Sequence, residues 1–238
     1  MPTLLRRLSL AAGLFAFSSL VFAASGSEAL VDTLARAAPS LDRYVLNNAV
    51  QAMQCAVRHG ATPAQRLAVI DYSLPSSEPR LWIFDLNKRK LVLEDFVAHG
   101  QNSGENLATR FSNHEGSHQS SIGLFVTQES YYGTHGYSLR MDGLEPGVND
   151  RARDRAIVIH AADYVDPTWI SRQGRIGRSQ GCPAVRPEVA KMVVDNLKGG
   201  QFMFSWYPDQ NWLQNSAFLN CPPSGSRKGL LVSRRDSN

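Results

Sequence analysis

The chain has 238 residues, 43% of them hydrophobic and 19% charged, with a formal net charge of +4. That length suffices for one sizeable core, alone or with a small helical appendage. So mild a positive excess argues against nucleic acid as the natural partner and suits work beside an anionic polymer.

At the N-terminus, Arg6 and Arg7 precede an apolar run from Leu8 to Phe22 that holds no charge. Val21 and Ala23 fit the small-residue rule for signal-peptidase cleavage, so residues 1–23 read as a secretory signal peptide. The expected location is the periplasm or cell envelope. The run is short for a membrane span, and no later stretch approaches the ~20 apolar residues that a spanning helix needs. No stable membrane span is therefore expected after cleavage. The first cysteine is Cys55, which speaks against a lipoprotein anchor. The Arg6-Arg7 pair invites a twin-arginine reading, but Ser9 stands where that signal prefers a large apolar residue, which favours the general secretory route.

Residues 24–63 read as a helical preface. "SEALVDTLARAA" and "SLDRYVLNNAVQAMQCAVRHG" carry apolar residues at helical spacing, with Leu41, Tyr44, Val45, Ala49, Ala52, Met53, Ala56 and Val57 on one stripe. Ser40 is placed to cap the second helix, and Gly60 to take the left-handed turn that ends it. Packing on the following domain is the plain reading, and a partner-binding helix is the sharper one.

Residues 64–220 change texture to short runs rich in Val, Ile, Leu and aromatics. "RLAVIDYS", "RLWIFDL" and "KLVLEDFVAHG" read as strands, the last two joined by a hairpin-sized "NKR" in which Asn87 suits a tight turn. "SSIGLFVTQESYYG", "YSLRMDGL", "RAIVIHAA" and "QFMFSWYP" continue the β pattern. "RPEVAKMVVDNLKGG" is the strong later helix, with Val189, Met192, Val193 and Leu197 on one face. The tail, 221–238, reads as flexible. The fold class is mainly β (α+β), with a helical preface and one helix after Cys182.

Residues 114–118 spell His-Glu-x-x-His, the pattern in which two histidines on one helical turn hold zinc and the glutamate acts as base. Gly116, Ser117 and the polar flanks instead make a loop of His114, Glu115 and His118, so a zinc peptidase is a minor alternative.

The stretch "GRSQGCPAV" places Cys182 after a glycine and before a proline, just upstream of the predicted helix. A thiol acts as a nucleophile through its thiolate, so it needs a base or a helix N-terminus. His160 ends the strand-like run "RAIVI" and is the candidate base, and the amides of Gly181 and Cys182 are candidate oxyanion donors. Taken alone, a free cysteine is more often a packing residue, and a histidine ending a strand a satisfied structural group. The chain holds three cysteines; if Cys182 stays reduced to react, Cys55 and Cys221 are the natural pair.

"IVIHAADYV", followed 22 residues after His160 by "SQGCPAV", resembles the histidine and cysteine signature of YkuD-type L,D-transpeptidases, in their divergent murein L,D-transpeptidase catalytic domain branch. "RLWIFDLNKRKLVLEDFVAHGQNSG", "FSNHEGSHQSSIGLFVT" and "GRIGRSQGCPAV" resemble further blocks of that branch, so the likeness runs over 67–207. It implies a β-sandwich or barrel-like domain that acts on donor and acceptor stem peptides of peptidoglycan, without a cofactor. Carried over by position, Cys182 is the nucleophile, His160 the base and later acid, the Ala161 carbonyl the group that orients the imidazole, and Gly181 with Cys182 the oxyanion hole. Ser179 shapes the loop.

Three departures from the better-known branch are visible: Gln180 stands where that branch has a histidine, no arginine lies between Cys182 and Arg186, and the gap from His160 to Cys182 is several residues longer. Acceptor specificity and carboxylate recognition are therefore open. Arg140, Arg178 and Arg186 are candidates for the stem carboxylate, and His135 in "YYGTHGYSLR" for the cleft wall. The same Cys/His site also suits an L,D-carboxypeptidase or amidase, and a non-catalytic wall-binding protein that keeps the fold is the reading from another class.

Overall fold

The computed structural model describes residues 18–221, with side chains from residue 26. The predicted leader and the tail beyond Cys221 therefore lie largely or wholly outside the described residues. No helix among the described residues is long and apolar enough to cross a membrane.

Two helices come first, α1 (Ser18–Ala37) and α2 (Arg43–Arg58). Asp42, rather than Ser40, caps α2: its carboxylate accepts from the amides of Tyr44 (2.6 Å) and Val45 (3.3 Å). An acidic cap also suits the positive end of the helix dipole. The Ser40 hydroxyl accepts instead from Trp82 Nε1 at 3.1 Å. The predicted stripe is buried except at its edge, where Tyr44 stays 60% exposed, with its ring edge-on to Trp206. Gly60 takes the left-handed turn, at φ 100°.

Eight strands form one sheet: β1 (Arg66–Asp71), β2 (Leu81–Asp85), β3 (Lys90–Asp95), β4 (Gly123–Gly133), β5 (Gly136–Gly143), β6 (Val158–Ala161), β7 (Ala184–Val185) and β8 (Phe202–Trp206). Their order across the sheet is β3-β2-β1-β8-β4-β5-β6-β7. The chain running on from β3 bridges back to the far edge, Ala98 to Ala184 and Gly100 to Ser179. The sheet is thus nearly closed into a barrel, which removes most of the free edge. In the β2–β3 hairpin Asn87 lies in the turn as expected; the left-handed residue there is Arg89 (φ 50°), and Asp85 accepts from the Lys88 amide.

Both faces of the central strands are covered, which is why β1, β2 and β8 read as unbroken apolar runs. Leu67, Val69, Trp82 and Phe204 point to the side packed by α1 and α2, while Ala68, Ile70, Ile83 and Met203 face the other. Helix α4 (Pro187–Leu197) lies on that second side and buries Ala190, Val193, Val194 and Leu197. Met192 is 38% exposed, so the buried face sits one position around from the predicted one. Packing against β1, β5 and β6, rather than periodicity alone, sets that angle.

Three short elements carry too weak a signal to be read from sequence: β7, α3 (Thr168–Gln173) and α5 (Gln210–Asn215). Glu145 anchors α5. Its buried carboxylate accepts from the Leu124 amide (2.9 Å), Trp212 Nε1 (2.9 Å) and Ser216 Oγ (2.6 Å), and burial pushes its pKa up against those bonds. Cys55 and Cys221 form a disulfide with Cα atoms 5.8 Å apart, which ties the end of the described chain to α2.

Candidate active site

His160 is placed by the sheet. β6 pairs antiparallel with β5, Leu139 opposite Ile159, and parallel with β7, His160 opposite Ala184. That register brings the imidazole beside the loop that enters β7 and carries Cys182 two residues upstream. Cys182 is the free cysteine of the chain. Its thiol receives the Val158 amide at 3.5 Å and lies 3.7 Å from the Ala156 carbonyl. Both residues line one cavity of about 680 Å³, together with Ser179, Gln180, His135 and Arg178.

The loop around Cys182 is held from within and from behind. Ser179 Oγ donates to the Cys182 carbonyl at 2.6 Å and accepts from the Gly181 amide at 3.0 Å. Ser120 Oγ donates to the Gly181 carbonyl at 3.0 Å, and the Ser179 amide donates to His99 O at 2.9 Å. Behind His99 lies Arg80, fully buried, with its guanidinium on the Val97 and Leu74 carbonyls and 2.6 Å from His99 Nδ1. Burial holds the His99 pKa down to about 3, so the ring is neutral and accepts from Arg80.

Glycine is required in this loop by space as well as by angle. Gly181 sits at φ 119°, and a Cβ there would come within 2.9 Å of Gln119 O. A Cβ on Gly100 would come within 2.3 Å of His118 O and 2.9 Å of Gly181 Cα, so two backbones pass each other directly beneath the nucleophile loop. One expectation changes as a result. The Gly181 N–H is committed to Ser179, whereas the Cys182 N–H has no hydrogen-bond acceptor among the described residues.

The imidazole of His160 is oriented by the residue that follows it. A carbonyl can only accept, so Nδ1–H donates to Ala161 O at 2.8 Å and Nε2 is left unprotonated. Burial pushes the His160 pKa down, the bond to Ala161 opposes that, and His135 lowers it further. The His135 ring, at the tip of the β4–β5 hairpin, stacks on His160 with centroids 4.3 Å apart. Burial pushes the Cys182 thiol up, against the Val158 amide and the charge of Arg155. Both groups are therefore stored neutral, and among the described residues no hydrogen bond joins Sγ to the ring.

Of the arginines named from sequence, only Arg178 lines the cavity. Arg140 pairs with Glu129 at 3.2 Å and lies over the Tyr131 ring. Arg186 grips Asp95 through two bonds of 2.8 Å, on a separate depression beside Asp166 and Glu188. Both are spent on structural ion pairs. Sequence reasoning missed Arg155, which lines the cavity from the turn before β6; nothing in "DRARDRA" tells that arginine from its neighbours. His114 to His118 form no helix. His118 sits at φ 54° with Gln101 Nε2 3.0 Å from its Nδ1, and Glu115 faces Arg151. The two histidines do not share a helical turn, which the zinc motif requires.

The family model of the L,D-transpeptidase catalytic domain matches residues 37–206. No curated protein matches the sequence. Among solved structures, an L,D-transpeptidase from Mycobacterium smegmatis is 14% identical, with a TM-score of 0.37, over 61% of this chain and 60% of that one. An L,D-transpeptidase from Stackebrandtia nassauensis is 12% identical, with a TM-score of 0.37, over 76% and 90%. The L,D-transpeptidase LdtMt1 in complex with imipenem is 13% identical, with a TM-score of 0.35, over 60% and 59%. The chain thus spans about 60% of the length of the mycobacterial structure it matches.

Proposed function

The chain belongs to the L,D-transpeptidase catalytic domain family, and from that premise we propose that it cross-links peptidoglycan stem peptides through a thioester on Cys182. The observation that carries the reading is the pairing, in one cavity, of an unpaired thiol with a histidine whose Nδ1–H is fixed on a backbone carbonyl. The fixed tautomer leaves Nε2 as a proton acceptor.

Sγ attacks the carbonyl between the diamino acid and the next D-residue, while the thiol proton passes to His160 Nε2. The oxyanion that develops is received by the Cys182 N–H. Collapse breaks the C–N bond, and the imidazolium returns its proton to the departing amine. An amine from a second stem then attacks the thioester and gives its proton to Nε2, and as the C–S bond breaks the imidazolium passes that proton to Sγ, which restores the thiol and the neutral ring. Because thiol and imidazole both start neutral, proton transfer accompanies attack rather than preceding it. A peptidoglycan substrate agrees with the cell-envelope location that the leader predicts.

The test is mass spectrometry of purified disaccharide-tetrapeptide incubated with the mature protein, with and without a chelator. A cross-linked dimer supports the proposal. Tripeptide alone identifies an L,D-carboxypeptidase that uses the same site. No reaction leaves a wall-binding protein, and chelator-sensitive turnover would move the chemistry to a metal. Cys182→Ala must abolish the product, and undiminished turnover in that variant refutes the mechanism.

A further inference from the structure

The cavity beside Cys182 is lined by two arginines and three histidines, Arg155, Arg178, His118, His135 and His160, and by no aspartate or glutamate. Arg178 is already neutralised: its Nη1 reaches Glu105 at 2.9 Å, besides the Gln101 and Gly104 carbonyls. Arg155 differs. Its Nη1 donates to Ser112 O (2.5 Å) and Ser121 Oγ (2.6 Å), and its Nη2 to Ser117 Oγ (3.1 Å) and Gln119 O (2.7 Å). All four partners are neutral, and among the described residues no carboxylate lies within ion-pair distance.

A half-buried guanidinium without a counter-anion is costly to desolvate. Here it is held rigidly by four bonds, which leave Nε–H as its remaining donor. Two of those bonds go to Ser117 and Gln119, the neighbours of His118, so charge and imidazole sit on one loop. Gln101 Nε2 lies 3.0 Å from His118 Nδ1, and because an amide nitrogen only donates, the ring carries its proton on Nε2. The histidine that the zinc pattern singled out is thus a donor beside an uncompensated cation.

We propose that Arg155 and His118 form a carboxylate-binding subsite on the loop side of the cleft, which seats a free carboxylate of the stem peptide. The assignment rests on the stem-peptide reading for its ligand, and on charge and donor placement for its location. Two carboxylates of a tetrapeptide stem have the right chemistry: that of the terminal D-residue and that of the diamino acid. The arginines named from sequence, Arg140, Arg178 and Arg186, each have an acidic partner and are not part of it.

The experiment uses disaccharide-tetrapeptide in three forms: unmodified, amidated at the terminal residue, and amidated at the diamino acid. Binding of each to the Cys182→Ala protein is measured by calorimetry, and turnover of each by the wild type. One amidation weakens binding and raises KM at least tenfold with little change in kcat, and that arm identifies the carboxylate. Arg155→Gln and His118→Ala raise KM for the unmodified stem by a similar factor and lose little more on the sensitive amide, while Arg155→Lys falls between. Added salt weakens both stems that keep the seated carboxylate and leaves the sensitive amide little changed. His118→Ala and the substrate arms keep the test sound if Arg155→Gln unfolds the loop. Equal binding of all three forms, or equal loss by His118→Ala on free and amidated stems, overturns the subsite. Discrimination in binding without any turnover retains the subsite and removes the transpeptidase reading, whereas turnover without discrimination does the reverse.

Discussion

Raising the pH from 7 to 9 should accelerate alkylation of Cys182 by iodoacetamide close to 100-fold, with no plateau below pH 9. Burial lifts the thiol above its ordinary value of 9.0, and the opposing contacts, the Val158 amide and the Arg155 charge, do not cancel that. At pH 7 the thiolate fraction is then below about 1%, and it grows about tenfold per pH unit until the pKa is reached. His160, pushed down by burial and lacking a bond to Sγ, supplies no imidazolium to stabilise the thiolate. A preformed thiolate–imidazolium pair would behave otherwise, with a flat rate from about pH 5 to 8. Cys182 is the one cysteine outside the disulfide, so intact-mass kinetics under non-reducing conditions report on it alone. A plateau in that window would refute the neutral-pair argument. His160→Ala should leave this alkylation profile within a fewfold of wild type while lowering stem-peptide turnover by about 10²- to 10⁴-fold, the usual worth of general acid–base catalysis.

Gly100→Ala drives a Cβ into His118 O and Gly181 Cα and so displaces the nucleophile loop; turnover should fall by about 10²-fold, the effect of a displacement near 1 Å, with the far-UV spectrum unchanged. Unaltered kinetics would mean the backbones have room to part. Glu145→Gln leaves an amide NH₂ facing a donor on Trp212 or Leu124, and urea unfolding should show a loss of about 1–3 kcal/mol; an unchanged midpoint would show that water or rotation satisfies the site. Reducing Cys55–Cys221, separated by 166 residues, releases up to about 5 kcal/mol of loop-closure restraint, and a reductant should lower the melting temperature. No shift would place that restraint elsewhere, for instance in α5 packing.

Much of this site is local, and local features are legible. A strand ending in His160 and a glycine loop before a helix each announce themselves through residue type and spacing, so the candidate nucleophile and base are legible together with their order along the chain. The apolar runs of β1, β2 and β8 likewise declared strands, because both their faces are buried and no alternation is needed. The His-Glu-x-x-His pattern could be set aside on the same grounds, since Gly116 and Ser117 disfavour the helix that zinc requires. Ser40 and Asp42 have equal capping chemistry, so residue type does not choose between them, and only Trp82, 42 residues away from Ser40, takes the serine out of contention.

What the chain could not disclose is how its charges pair. Arg140, Arg155, Arg178 and Arg186 look alike as residues. Their different fates depend on Glu129, across the β4–β5 hairpin from Arg140, and on Glu105 and Asp95, which approach Arg178 and Arg186 from far off in sequence. The same holds for the candidate oxyanion donors: that Gly181 spends its amide on Ser179 is a matter of loop closure, which residue identity leaves open. Sequence determines which groups have the chemistry, because that is fixed by covalent structure. The tertiary fold decides which of them are free to use it, because availability depends on what burial and long-range contacts have already bonded.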